Sequence, residues 1–204
     1  MERPRLSVVI LAGGEGRRIG QPKATLPFQG EPLLARVVRR LSALSDDLII
    51  VTRNGELPVV LGPGVRCAGD ARPGEGPLAA LAGGLRIARE SRAAVVSCDL
   101  PFVSPEVLTT LGGMLAGQRD AVVPVVGGRR QPLQAVYRTK AVARVAAQAL
   151  AQGERSMNEL MARLDVLEVP ERQLAHVAGW RDSFTNVNTE AELRRARRKA
   201  GKAT

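Results

Sequence analysis

Residues 11–26 read Leu-Ala-Gly-Gly-Glu-Gly-Arg-Arg-Ile-Gly-Gln-Pro-Lys-Ala-Thr-Leu. Four glycines (Gly13, Gly14, Gly16, Gly20) are mixed there with three cations (Arg17, Arg18, Lys23). Glycine lets backbone N–H groups approach a ligand closely, and the cations supply charge opposite to phosphate. The combination points to a polyphosphate. It is not a P-loop, because Gly20 is followed by Gln21-Pro22 and Lys23 by Ala24 rather than by Ser or Thr. It is not a dinucleotide fingerprint either. Gly14-Glu-Gly16-Arg-Arg-Ile19 lacks the third glycine, and Pro22 and Pro27 stop a helix from running on.

Three further groups carry chemistry. Asp99, in Ser97-Cys98-Asp99-Leu100-Pro101, follows an apolar run. A carboxylate there suits Mg²⁺, which takes one or two protein carboxylates and completes its shell with water and phosphate. A turn or helix cap is the alternative, since Pro101 and Ser104 follow closely. Asp70 opens a loop that continues through Gly74-Glu75-Gly76. Its carboxylate can accept from the N1–H and 2-amino edge of guanine, or else make an Asx turn. Asn186 and Asn188 alternate in Phe184-Thr-Asn-Val-Asn-Thr189, so an extended segment projects both to one side. Their amides could meet phosphate, ribose or metal-bound water; Asn188 could instead simply end a strand ahead of a Thr189 cap.

The elements that must position these groups alternate along the chain. Apolar runs predict strands at 6–11, 48–52, 65–68, 93–97, 121–126, 133–137 and 166–169. Helical spacing predicts helices at 32–44, 77–89, 105–115 and 139–152. Ser156-Met-Asn-Glu159 and Thr189-Glu-Ala-Glu192 read as capping boxes, the second opening a basic C-terminal helix over about 189–204. A β-α-β-α order with short connections predicts one three-layer α/β/α domain spanning residues 1–204, with a mostly parallel sheet. Ligands in such sheets sit at the carboxyl ends of the strands, where the glycine loop, Asp70 and Asp99 all fall.

Composition narrows the function classes. The chain has 204 residues, 45% of them hydrophobic but only 2% aromatic. Aliphatic strands suit a sheet covered on both faces, and the lack of stacking aromatics disfavours single-stranded nucleic-acid binding. The net charge of +10 could attract anions. Six of the cations lie in the last sixteen residues against Glu190 and Glu192, which also fits a solvated basic end. Cys67, Cys98 and the single His176 offer no zinc spacing and no nucleophile–His pattern. With no signal peptide and no apolar stretch of membrane-spanning length, the sequence is expected to be cytoplasmic, with neither membrane nor nucleic acid among its partners.

Taken in order, Gly-Gly-x-x-x-Arg-Ile-Gly-x-x-Lys, Gly76-Pro77-Leu78, Cys98-Asp99-Leu100-Pro101, Gln131-Pro132-Leu133, Gly153-Glu154-Arg155 and Asn186-Val-Asn188 resemble the MobA family across roughly residues 6–194. These are molybdenum cofactor guanylyltransferases with a Rossmann-like, GT-A-like nucleotidyltransferase fold. The resemblance implies transfer of GMP from GTP to molybdopterin-bound molybdenum, with Mg²⁺ (or Mn²⁺) as cofactor. It also extends the partners to other molybdenum-cofactor biosynthesis proteins and molybdoenzyme maturation chaperones. By motif match, the backbone of Leu11, Ala12, Gly13 and Gly14 contacts the nucleotide, and Arg18 and Lys23 face its phosphates. Asp70 reads guanine, Asp99 binds the metal, and Asn186 and Asn188 lie on the pterin side. A polar residue after the second strand, Thr52 or Asn54, touches the nucleotide. Two departures stand out: Pro22 precedes Lys23 where the family often has an acid, and Ala80 replaces the last glycine of Gly-Pro-Leu-Ala-Gly. A cytidylyltransferase of the same fold is the nearest alternative, but it tends to read Leu-Ala-Ala-Gly in the first loop.

Overall fold

The structure, a computed structural model, describes residues 5–14, 16, 18–72 and 74–201. Glu15 and Arg17, named above, lie outside the described residues, as does Lys202, one of the six cations of the last sixteen residues. In chain order the elements are β1 (Ser7–Leu11), a 3-10 turn (Lys23–Thr25), β2 (Pro27–Phe28), β3 (Glu31–Pro32), α1 (Leu33–Leu41), β4 (Leu48–Thr52), β5 (Val65–Gly69), α2 (Pro77–Ile87) and β6 (Arg92–Ser97). There follow α3 (Pro105–Met114), β7 (Ala121–Val126), β8 (Arg129–Arg130), β9 (Gln134–Arg138), α4 (Thr139–Ala151), α5 (Met157–Ala162) and β10 (Val166–Pro170). A second 3-10 turn (Glu171–Gln173), α6 (Trp180–Ser183) and α7 (Glu190–Ala200) complete the chain.

The main sheet runs β10-β7-β9-β6-β1-β4-β5, with β8 paired to β7. Side-chain alternation along the strands builds the three layers. Val8 and Ile10 of β1 and Leu48 and Ile50 of β4 pack with α1 and α3. Val9, Leu11, Ile49 and Val51 pack with α2, α4 and α5 on the other face. Fully burying each such aliphatic side chain contributes roughly 1.5–3 kcal/mol. The sheet is mostly parallel, as the sequence predicts, but β9 runs antiparallel to both β6 and β7. Only seven residues separate β7 from β9, too few for the crossover that a parallel pairing needs. The expected helix at 32–44 ends at Leu41, with turns beyond it, and that at 77–89 ends at Ile87.

Three anchors hold the ligand end of the sheet. Ser104 caps α3, its Oγ accepting from Val107 N–H. Both expected capping boxes form, at Ser156/Glu159 and Thr189/Glu192. A small satellite core of Leu26, Phe28, Leu33, Val187, Leu193 and Ala196 clamps α7 and the segment before it onto the β2–β3 hairpin.

At the opposite end of the sheet Asp47 is 5% exposed. Its carboxylate accepts from Ser7 Oγ (2.5 Å), the Arg89 backbone N–H (2.9 Å) and the Arg66 guanidinium. Burial pushes its pKa up, but these bonds outweigh burial and hold it below the usual aspartate value of 3.8. A depressed carboxyl stabilises the fold fully above its unfolded pKa and loses that contribution as pH falls through the folded one. Asp47→Ala is therefore expected to destabilise the protein by about 2–3 kcal/mol at pH 7 in urea unfolding. The difference from wild type should shrink progressively below about pH 4, where the ordinary aspartate pKa lies.

Candidate active site

The glycine loop leaves β1 between two flanking strands. Ala12 N–H bonds Val51 O (2.8 Å), and Cys98 N–H bonds Leu11 O (3.0 Å). The loop then folds on itself: Ile19 and Gly20 N–H both reach Gly16 O, at 2.8 and 3.0 Å. Gly16 has φ +60°, and a Cβ on it would stand 1.9 Å from Gln21 O. Only glycine fits there. The turn returns the chain to Lys23.

Two cavities open along the carboxyl ends of the strands. The first, about 350 Å³, is lined by Leu11, Gly13, Gly14, Gly16 and Asp70, together with Arg53. The second, about 380 Å³, is lined by Asp99, Asn186, Asn188 and Gln134. Pro77, Ser97 and Leu133 line both, so the two adjoin. Pro77 is the first residue of α2, which puts a helix N-terminus, favourable to anions, at the join.

Asp70 continues from β5, its N–H bonding Thr52 O (3.0 Å). The backbone on either side of it is pressed against α2. A Cβ on Gly83 would lie 2.5 Å from Gly69 O and 3.1 Å from Ala71 N. Asp70 Oδ1 is buried and has no hydrogen-bond partner. Burial raises its pKa, partly offset by the Gly74 N–H and the charge of Arg53. A buried, unsatisfied acceptor is costly, and its natural complement is a ligand donor.

Asp99 is 7% exposed. Its role is not to cap a helix, since Ser104 does that. Lys23 Nζ donates to Asp99 Oδ2 (2.6 Å) and to Asn188 Oδ1 (2.5 Å). Val187, fully buried, donates its N–H to Asp99 O (3.0 Å). This bond sets Asn186 and Asn188 beside Asp99. Asn188 does more than precede a helix: its N–H joins the Glu192 cap (2.8 Å) while its side chain turns to Lys23.

Asp99 Oδ1 is buried without a partner. An orphaned oxygen on a carboxylate already facing a cation fits a hard divalent metal that takes only one or two protein ligands. Among the described residues no group of three or more His, Cys, Asp or Glu could hold a metal, so a metal at Asp99 would take its other ligands from amide oxygens, phosphate or water.

The other expected residues are less central. Ala12 is buried in the core. Arg18 is exposed and lines neither cavity. Thr52 is buried against Cys67 and Asn54, and Asn54 binds Glu56 (2.7 Å). Neither lines the first cavity, whereas Arg53 between them does. Successive residues at a strand end point to opposite sides, and the sequence alone does not say which side holds the ligand. Gln134 was also missed. It is buried, donates to Ser183 Oγ and leaves Oε1 without a partner. A polar residue inside an otherwise apolar strand was the signal for it.

An open α/β sheet carrying a phosphate-type loop, a metal-ready carboxylate and two joined cavities defines an enzyme of the nucleotidyltransferase class. The chain belongs to the MobA-like NTP transferase domain family, whose model matches residues 8–168. A probable molybdenum cofactor guanylyltransferase from Bacillus cereus is 31% identical over 193 residues, covering 93% of this chain and 94% of that protein. The crystal structure of molybdopterin-guanine dinucleotide biosynthesis protein A from Archaeoglobus fulgidus superposes with TM-score 0.79. It is 30% identical and covers 97% of this chain and 100% of that one. The 2-C-methyl-D-erythritol 4-phosphate cytidylyltransferase from Thermus thermophilus shares the fold, with TM-score 0.70 and 21% identity over 97% of this chain and 99% of that one. No helix among the described residues is long and apolar enough to cross a membrane.

Lys23 holds Asp99, and Lys23→Met leaves that buried carboxylate without its cation. The variant is expected to melt about 3–6 °C lower than wild type in the presence of EDTA, read by calorimetry. Millimolar Mn²⁺ should recover part of that loss in the variant and shift wild type much less.

Proposed function

We propose that this protein transfers GMP from GTP to the terminal phosphate of molybdenum-bound molybdopterin, yielding molybdopterin guanine dinucleotide and pyrophosphate. The observation that carries this reading is the join between the two cavities. One is floored by glycine backbone beside an unsatisfied Asp70 oxygen; the other holds Asp99, Asn186 and Asn188. GTP fits the first, with guanine at Asp70 and its phosphates running over Gly13 and Gly14 towards Lys23. The acceptor fits the second, oriented by the two asparagine amides. The names of the relatives support the same assignment, and we assign one nucleotidyltransferase domain to the whole chain.

The reaction needs no covalent enzyme intermediate. An acceptor phosphate oxygen, already an anion, attacks the α-phosphorus in line. A new P–O bond forms as the bond from the α-phosphorus to the bridging oxygen breaks, and pyrophosphate leaves with the electron pair. No general base is required. The chain's task is alignment and charge neutralisation. Lys23 has three N–H donors, two of which meet Asp99 and Asn188, so it can contact phosphate without leaving the site. Arg18 is exposed and lines neither cavity, and its assignment to the departing pyrophosphate rests on the motif alone. Mg²⁺ held by Asp99 would neutralise phosphate oxygens.

Asp99→Ala is expected to keep its fold by circular dichroism and lose at least about 100-fold in GMP transfer. Near-normal turnover at saturating Mg²⁺ would overturn the assignment. Nucleotide choice is tested by thermal shift with GTP, CTP and ATP in Mg²⁺: GTP should stabilise most, and Asp70→Ala should abolish the preference. Stronger stabilisation by CTP removes the guanylyl reading.

The pH dependence follows from Asp70. Only the ionised carboxylate accepts both guanine donors, and its pKa lies above the ordinary value of 3.8. GTP affinity should therefore be full above that raised pKa and fall as pH drops through it, earlier on acidification than an ordinary aspartate would give. Asp70→Asn should remove this dependence in a calorimetric titration.

A further inference from the structure

Arg53 is absent from every motif discussed above, yet it stands at the base end of the nucleotide cavity. We propose that Arg53 is a specificity residue that reads the purine, donating to guanine O6 and N7 while Asp70 accepts from N1–H and the 2-amino group. The inference rests on the GTP reading above and deepens it.

Strand register brings the two side chains together. Thr52 of β4 pairs with Gly69 of β5, so Arg53 and Asp70 are the next residues off adjacent parallel strands. Both line the first cavity, whereas Asp99 lines the second. Arg53 is therefore at the Asp70 end rather than at the metal end. The two share a floor: a Cβ on Gly13 would lie 3.8 Å from Arg53 N and 3.8 Å from each Asp70 carboxylate oxygen. The Arg53 charge reaches Asp70 and favours its ionised form, while Asp70 Oδ1 stays without a hydrogen-bond partner. The arginine thus helps to keep the acceptor charged without occupying it.

The chemistry of such a pair is selective. Along one edge guanine offers two adjacent donors, N2–H and N1–H, followed by the O6 acceptor, with N7 beyond. Arginine fits O6 and N7 as a fork. Adenine puts a donor where O6 would be and an acceptor at N1. Cytosine has a donor at position 4 and an acceptor at N3. Neither satisfies a carboxylate and a guanidinium in this order.

The test compares wild type, Arg53→Met and Asp70→Ala in equilibrium binding of GTP, ITP, ATP and free guanosine, with Mg²⁺ present. Arg53 is exposed, so the methionine variant is expected to fold, and its melting temperature checks this. Arg53→Met should weaken GTP and guanosine by the same factor, about tenfold, and narrow the GTP-over-ATP preference by a similar factor. The GTP-to-ITP ratio should be retained, because inosine lacks only the 2-amino group that Asp70 reads. Weaker GTP with unchanged guanosine would make Arg53 a phosphate ligand and overturn the inference. So would unchanged affinity for both, and if Asp70→Ala still lost its preference the GTP reading would stand without it. A wild type that bound GTP no better than ATP would remove the reading and the inference together.

Discussion

The Lys23 ammonium joins parts of the chain that are otherwise far apart. It reaches Asp99 across 76 positions of sequence and Asn188 across 165. Both contacts are partly buried, so they are screened far less than a surface pair. Removing one partner of such a buried set strands the others without compensation, which is why the local arrangement is all or none. The glycine loop exists in this form to deliver that one amine. Gly16 turns back on Gln21, Pro22 fixes the approach, and the 3-10 turn begins at Lys23 itself. Lys23, Asp99 and Asn188 are therefore parts of one hydrogen-bonded unit rather than independent motifs.

The same contact explains why the C-terminal segment belongs to the site. The family match ends at residue 168, before Asn186 and Asn188. What returns the chain to the sheet is apolar: Val187, fully buried between the two asparagines, enters the satellite core with Leu26, Phe28 and Leu33. Its N–H bond to Asp99 O adds direction to that burial. Two polar side chains are held at the cavity mouth because the residue between them is not polar. A polar residue at 187 would lose the anchor and both amides with it. The alternation that reads as a weak binding motif is thus equally a packing device.

The layers of the fold were legible because aliphatic strands and capping residues are local signals. β4 and β7 have the bounds that their apolar runs imply, and Ser104, Ser156 and Thr189 cap the helices they precede. The antiparallel course of β9 was not read from the sequence, although the seven residues between β7 and β9 leave no room for a parallel crossover. The β2–β3 hairpin and α6 were not legible either, because elements of two or four residues carry no periodicity. In the site, residue types that serve chemistry stood out, and Asp70 and Asp99 line two adjoining cavities. What alternation could not tell was side. Thr52 and Asn54 are the polar, uncharged choice after β4, and the cavity took the residue between them. Nor could spacing show that Lys23 rests on Asp99, since that pairing depends on where the returning C-terminal segment lies.

The charge excess has a structural explanation in the same terms. A chain so poor in aromatics has few large side chains to close its loops, and arginine does much of that work here. Arg36 and Arg40 donate to the carbonyls of Pro101 and Val103, Arg92 to Gly112, Arg138 to Gly117 and Arg197 to Pro27. The carbonyls of Pro101, Val103 and Gly117 lie in loops, that of Gly112 near the end of α3 and that of Pro27 in β2, and an arginine stem can cover apolar surface on its way to such a group. Arg194 pairs with Glu190 within α7, and Lys199 of α7 pairs with Asp182 of α6. Among the described cations, Arg53 lines the first cavity and Lys23 donates to Asp99, which lines the second.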